Sequence, residues 1–119
     1  MSTPAKPVGP YTPIVRAGDW LVVSGQVGIS DGRMVSGGVA GELRQAIANL
    51  EAQLATEGAG LGDVVKTTVF LRHMDDYAQM NETYVAAFGD HRPARSAVGV
   101  AELPLGALVE VEAWAWVGG

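Results

Sequence analysis

Between residues 12 and 27 the chain alternates in character with a period of two, and from residue 39 the spacing becomes helical. Thr12 to Arg16 and Asp19 to Val27 read as two strands joined by the turn Ala17-Gly18-Asp19. In the second strand Leu21, Val23, Gly25 and Val27 share one face. Trp20, Val22, Ser24 and Gln26 share the other, so Ser24 and Gln26 form a polar patch. A short third strand around Arg33-Met34-Val35 follows the turn Ser30-Asp31-Gly32. Val39, Leu43, Ile47, Leu50 and Leu54 then recur at helical intervals, which predicts a one-faced helix over Val39–Thr56 lying on a sheet. Its exposed side carries Glu42, Gln45, Asn49 and Gln53, and Gly58-Ala59-Gly60 ends it.

Val64 to Leu71 is rich in β-branched residues and predicts a strand. A second helix follows Met74, with Asp75 or Asp76 at the positive end of its dipole and Gly89 as its stop. Tyr77, Met80, Tyr84 and Phe88 make its apolar stripe, and Asn81 lies inside that stripe. Two final strands, Ala94–Glu102 and Ala107–Val117, are joined across Leu103-Pro104-Leu105-Gly106. The order β-β-β-α-β-α-β-β predicts an α+β domain with two helices on one face of a sheet. Residues 1–9 hold two prolines and no periodicity. They read as a flexible lead-in to a single domain over 10–119. If the helices cover Val109, Val111 and Ala113, the bare face carries Glu110, Glu112, Trp114 and Trp116, and such a face calls for a homo-oligomer packed sheet to sheet.

Composition narrows the partners. The 119 residues suit one domain, and charged residues make up only 18% against ~25% in an average domain, which again points to surface hidden in an oligomer. The net charge is −5 and no cluster of Lys or Arg occurs, which disfavours nucleic acid and anionic membrane as partners. There is no cysteine, hence no disulfide, thiolate nucleophile or Cys-ligated metal. His73 and His91 lie near helix boundaries without metal-ligand spacing. Residues 1–7 lack the apolar core of a signal peptide, and no run of ~18 apolar residues is present to span a membrane. A cytoplasmic protein is the expectation.

The chemistry concentrates near the C-terminus. Arg95, Ala97, Gly99 and Ala101 share one face of a strand, so a guanidinium stands over small residues and reads as an anion pocket. Glu110 and Glu112 share one face of what reads as a neighbouring strand. An Arg and a Glu placed so also make an ordinary cross-strand ion pair, and Ala97 and Gly99 favour the pocket. Asn81 and Ser24 have structural readings too, as groups satisfied by nearby backbone.

Six segments then carry a resemblance: Gly9-Pro10-Tyr11-Thr12, Val23-Ser24-Gly25-Gln26, Val64 to Leu71, Met80 to Tyr84, Arg92-Pro93-Ala94-Arg95-Ser96, and Glu110-Val111-Glu112-Ala113. In order and spacing the chain resembles the Rid family of enamine/imine deaminases, also called YjgF-type proteins. The resemblance implies a chorismate-mutase-like α+β fold with a mixed sheet, assembled as a homotrimer with pockets between subunits. It further implies hydrolysis of 2-enamine and 2-imine acids to 2-keto acids and ammonia, with no metal and no organic cofactor. Arg95 then matches the carboxylate-binding arginine and Glu110 the water-orienting glutamate. Tyr11, Ser24, Gly25 and Asn81 match pocket-lining positions, with Tyr11 and Ser24 supplying polar hydrogens. Ala97, beside Arg95 in the substrate pocket, stands where many members carry cysteine, and Glu102 where a basic residue is common. Three other activities stay open. One is a trimeric binding or regulatory protein without turnover, and another an endoribonuclease or translation inhibitor. Glycoside hydrolysis by Glu110 and Glu112 is the third, for which so short a sheet offers no sugar cleft.

Overall fold

The computed structural model describes residues 7–119. The chain runs β1 (Ile14–Ala17), β2 (Trp20–Gln26), β3 (Ile29–Ser30), β4 (Arg33–Met34), α1 (Gly38–Ala55), β5 (Val64–Leu71), α2 (Tyr77–Phe88), β6 (Ala94–Gly99) and β7 (Val109–Trp116). Short 3-10 turns precede β5, α2 and β7. The predicted order thus holds with one small addition. Ile29–Ser30 pairs antiparallel with Arg33–Met34 around Asp31 and Gly32, whose positive φ angles of 53° and 78° make the tight reversal. Most of the expected lead-in, residues 1–6, lies outside the described residues.

The main sheet has the order β1-β2-β7-β5-β6. Every neighbouring pair is antiparallel except β5 and β6, which are parallel and joined through α2, the crossover that parallel neighbours require. Both helices pack on one face. Val39, Leu43, Ile47, Leu50 and Leu54 of α1, and Met80, Tyr84 and Phe88 of α2, share one core with Leu21, Val23, Val69, Leu71, Val109, Val111, Ala113 and Ala115 of the sheet. Each large side chain buried there contributes roughly 1.5–3 kcal/mol. The opposite face is bare, with Trp114 and Trp116 45% and 44% exposed. Trp20 packs edge-on against both, at 6.0 and 5.1 Å between ring centroids.

The polar side of α1 departs from expectation. Glu42 and Gln53 are buried, and Asn49 is half-buried. Loops cover this side of the helix, and its polar groups hold them. Glu42 accepts the Leu108 backbone N–H at 2.8 Å, and Asn49 Nδ2 donates to the carbonyls of Val27 and Ile29 at 2.9 and 3.0 Å. Of the two expected caps it is Asp76 that occupies the N-cap of helix α2, one residue beyond Asp75, and it makes no side-chain capping bond.

Candidate functional site

Strand β2 does not alternate to its end. Its register with β7 slips between Val23, opposite Ala113, and Gln26, opposite Val111. This bulge turns Gln26 into the protein, where it is buried and donates to the Ser24 carbonyl at 3.0 Å, so the two residues leave the shared sheet face expected of them but still meet at one cavity. At the bulge Gly25 lies directly beneath the Glu110 side chain. A Cβ at position 25 would sit 1.9 Å from Glu110 Oε2 and 2.7 Å from its Cδ. Only a glycine lets the carboxylate lie across β2.

That carboxylate borders a cavity of about 290 Å³. Tyr11, Ser24, Gly25 and Gln26 line it on the sheet side, with apolar wall from Val8, Pro13, Val27, Ile29 and Pro104 and an inner end at Asn49 and Gln53 of α1. Ser24 Oγ donates to the Pro13 carbonyl at 3.1 Å, so the hydroxyl offers lone pairs, not its hydrogen, to the cavity. Tyr11 Oη accepts the Val8 N–H at 3.3 Å and keeps its own hydrogen free. Burial first, and the Glu112 charge second, push the Glu110 carboxyl above the usual carboxylate range.

Arg95 lies elsewhere. Strand β5 stands between β6 and β7, so the arginine and the glutamate are not on neighbouring strands. They also face opposite ways. Arg95 is in register with Thr67, which is in register with Ala113 on the helix-covered side. Glu110 pairs with Phe70 on the bare side. Local alternation groups Arg95 with Ala97 and Gly99 correctly, but the parallel pairing of β6 with β5 is a long-range outcome it does not contain. The cleared floor is occupied as well. Ala97 packs against the core, and a Cβ at Gly99 would meet Met74 Cγ at 2.9 Å.

The guanidinium instead faces α2. Arg95 Nη2 donates to Tyr77 Oη at 3.1 Å, and Cζ lies 4.9 Å from the Tyr84 ring centroid and 5.6 Å from that of Tyr77. Tyr84 is anchored by a 2.7 Å hydrogen bond to Thr67 Oγ1, and burial raises its phenol pKa, so it remains a neutral platform. Asn81 sits on α2 between these tyrosines, four residues after one and three before the other. Its Oδ1 is buried without a hydrogen-bond partner among the described residues. The site residues therefore form two clusters: Tyr11, Ser24, Gly25 and Glu110 around the cavity, and Arg95 with Asn81 on the β6–α2 edge. Asn49, Gln53 and Tyr77 were not singled out as site residues from sequence. For the first two the only signal was polar residues four apart on a helix. His91 is structural, its Nε2 2.7 Å from the Val64 carbonyl oxygen. Among the described residues no group of His, Asp or Glu is placed to hold a metal.

Two outcomes follow from the Gly25–Glu110 contact. Gly25→Ala is expected to fold with nearly unchanged Tm, because the atoms it meets are the end of a flexible side chain, yet to lose most turnover through displacement of the carboxylate. Thermal melts beside steady-state kinetics check this. Glu110→Gln is expected to raise Tm at neutral pH. A carboxyl whose folded pKa lies above its unfolded value binds its proton more tightly when folded, so stability falls as pH rises from the unfolded to the folded pKa and stays reduced above it. The gain in the glutamine variant should shrink as pH falls through that window, which melts over a pH series measure.

The fold and site define a small α+β domain with a carboxylate bordering a cavity and a separate arginine cluster. The chain belongs to the family described as endoribonuclease L-PSP, the Rid or YjgF family of the sequence resemblance, whose model matches residues 1–117. A RutC family protein of Pyrococcus horikoshii is 43% identical over 113 residues, 93% of this chain and 90% of its own. A mouse protein named 2-iminobutanoate/2-iminopropanoate deaminase is 44% identical over 108 residues, 89% of this chain and 80% of its own. The crystal structure of a Thermotoga maritima protein described as an endoribonuclease matches with a TM-score of 0.91 and 44% identity, covering 98% of this chain and 93% of that one.

Proposed function

We propose that this protein hydrolyses 2-imino and 2-enamine acids to 2-keto acids and ammonia, without a cofactor, at sites formed between the copies of a homotrimer. The observation that carries the reading is the division of the site. Arg95 and Asn81 lie across β5 from the Glu110 cavity and on the other face, so one chain cannot bring both to one small acid. A neighbouring copy can supply the missing half. The bare tryptophan-bearing sheet face and the partnerless Asn81 oxygen fit that assembly, and the deaminase relatives at about 40–44% identity support the chemistry.

The planar guanidinium holds the substrate carboxylate through two parallel hydrogen bonds and so orients C2. An enamine first takes a proton from solvent at C3, releases one from its nitrogen, and becomes an imine with an electrophilic C2. Glu110 orients a water and accepts its proton as the water oxygen bonds to C2. Burial raises its pKa and so strengthens the carboxylate as a base. Glu110 returns that proton to the nitrogen as the C2–N double bond opens; the C2–N bond of the tetrahedral intermediate then breaks, the hydroxyl proton passes to the nitrogen, which leaves as ammonia, and a keto group remains. The free Tyr11 hydrogen is available to the substrate or the water, whereas Ser24 serves as an acceptor.

Imines generated in situ from several amino acids provide the test: the protein should accelerate release of ammonia and 2-keto acid. Binding of 2-keto acids with no acceleration would instead mark a non-catalytic binding protein. Light scattering should give three times the chain mass at micromolar concentration, and a monomer mass would remove the intersubunit site. The family's ribonuclease name finds little support in a chain of net charge −5 with no Lys/Arg cluster.

A further inference from the structure

The Gln53 side chain lines the cavity beside Glu110 and makes no hydrogen bond among the described residues. Gln53 is only 3% exposed and lines the cavity. Its backbone carbonyl accepts from Thr56, but its side-chain amide has no hydrogen-bond partner among the described residues. Asn49, one turn earlier on α1, shows the contrast. Its Nδ2 is committed to the Val27 and Ile29 carbonyls, and its Oδ1 accepts from Gln45 Nε2 at 2.9 Å. Asn49 is spent on the fold, whereas Gln53 presents both a donor and an acceptor to enclosed space. An amide that lines a cavity without a partner among the described residues is free to pair with a polar group that enters it.

We infer that Gln53 is a specificity-determining residue, and that the cavity receives substrate side chains ending in a neutral carboxamide. The inference rests on the reading of this cavity as the imine site and deepens it. Val27, Ile29 and Pro104 line the same cavity and suit a methylene stem. Glu110 is the single charged side chain lining the cavity among the described residues, so a carboxylate tail would meet repulsion without a compensating cation. A carboxamide matches the Gln53 amide donor to acceptor and acceptor to donor. An apolar tail of the same shape leaves that amide unpaired, and rejection of this kind is worth more than any fit of methylenes.

Two isosteric pairs of amino acids supply the probes: asparagine with leucine, and glutamine with methionine, each converted to its imine in situ. The wild-type protein is expected to favour the carboxamide member of at least one pair by about tenfold or more in kcat/KM. Gln53→Met, of equal length but without hydrogen-bonding groups, should abolish or invert that preference while leaving the pH profile unchanged. Loss of rate on both members with the ratio preserved would assign Gln53 a structural role and overturn the inference. Equilibrium binding of the corresponding 2-keto acids separates the inference from the activity it rests on. If no imine is hydrolysed but the carboxamide keto acid binds tenfold more tightly than its isostere, and only with Gln53 present, the specificity stands and the deaminase reading falls. Equal affinities in wild type and variant, or no binding, overturn it.

Discussion

Replacing Arg95 with lysine is expected to lower kcat/KM for every imine by about 10²-fold, although the positive charge is kept. An ammonium cannot make two parallel hydrogen bonds to a carboxylate, and it loses the planar stacking that fixes the group. Here the loss is compounded by what surrounds the arginine. The guanidinium is positioned by the Tyr77 hydroxyl and by two aromatic rings at 4.9 and 5.6 Å, which a lysine does not match in shape. Steady-state kinetics on the purified Arg95→Lys variant, with light scattering to confirm the assembly, decides the matter. Wild-type turnover in that variant would mean that the carboxylate is held elsewhere.

The second large effect separates proton transfer from binding. Glu110→Gln should reduce kcat by ~10²–10⁴-fold and leave the affinity for an unreactive 2-keto acid close to wild type. Glutamine keeps the size and still orients a water, but it does not take the proton. The same change at Glu112 should matter far less, since its role at the site is a nearby negative charge that helps raise the Glu110 pKa. Isothermal titration with a keto acid alongside the kinetics tests both. Equal losses at the two positions, or lost affinity with turnover intact in Glu110→Gln, would reverse these roles.

Much of this architecture was legible in the residues, and the misses have physical causes. The apolar stripes of α1 and α2 and the run Val64–Leu71 specify elements directly, because burial against one sheet face imposes their periods. The polar side of α1 misleads for the same reason. Hydropathy cannot distinguish a solvated Glu42 or Asn49 from one that clasps a loop backbone. Strict alternation carried through Ser24-Gly25-Gln26 misses the bulge, for which the glycine in mid-strand was the available clue. Arg95 shows the limit most clearly. Its residue type and face companions are local facts, whereas its separation from Glu110 by a whole strand belongs to topology.

The tryptophan cluster has a practical side. All three tryptophans of the chain lie together, with Trp20 within 6.0 Å of each of the other two ring centroids, at one end of the bare sheet face. Intrinsic tryptophan emission from this protein therefore reports on a single patch. It should respond to dilution or to any change in what covers that face, and stay nearly silent to events at the α1 end of the cavity, where an added fluorophore would be needed.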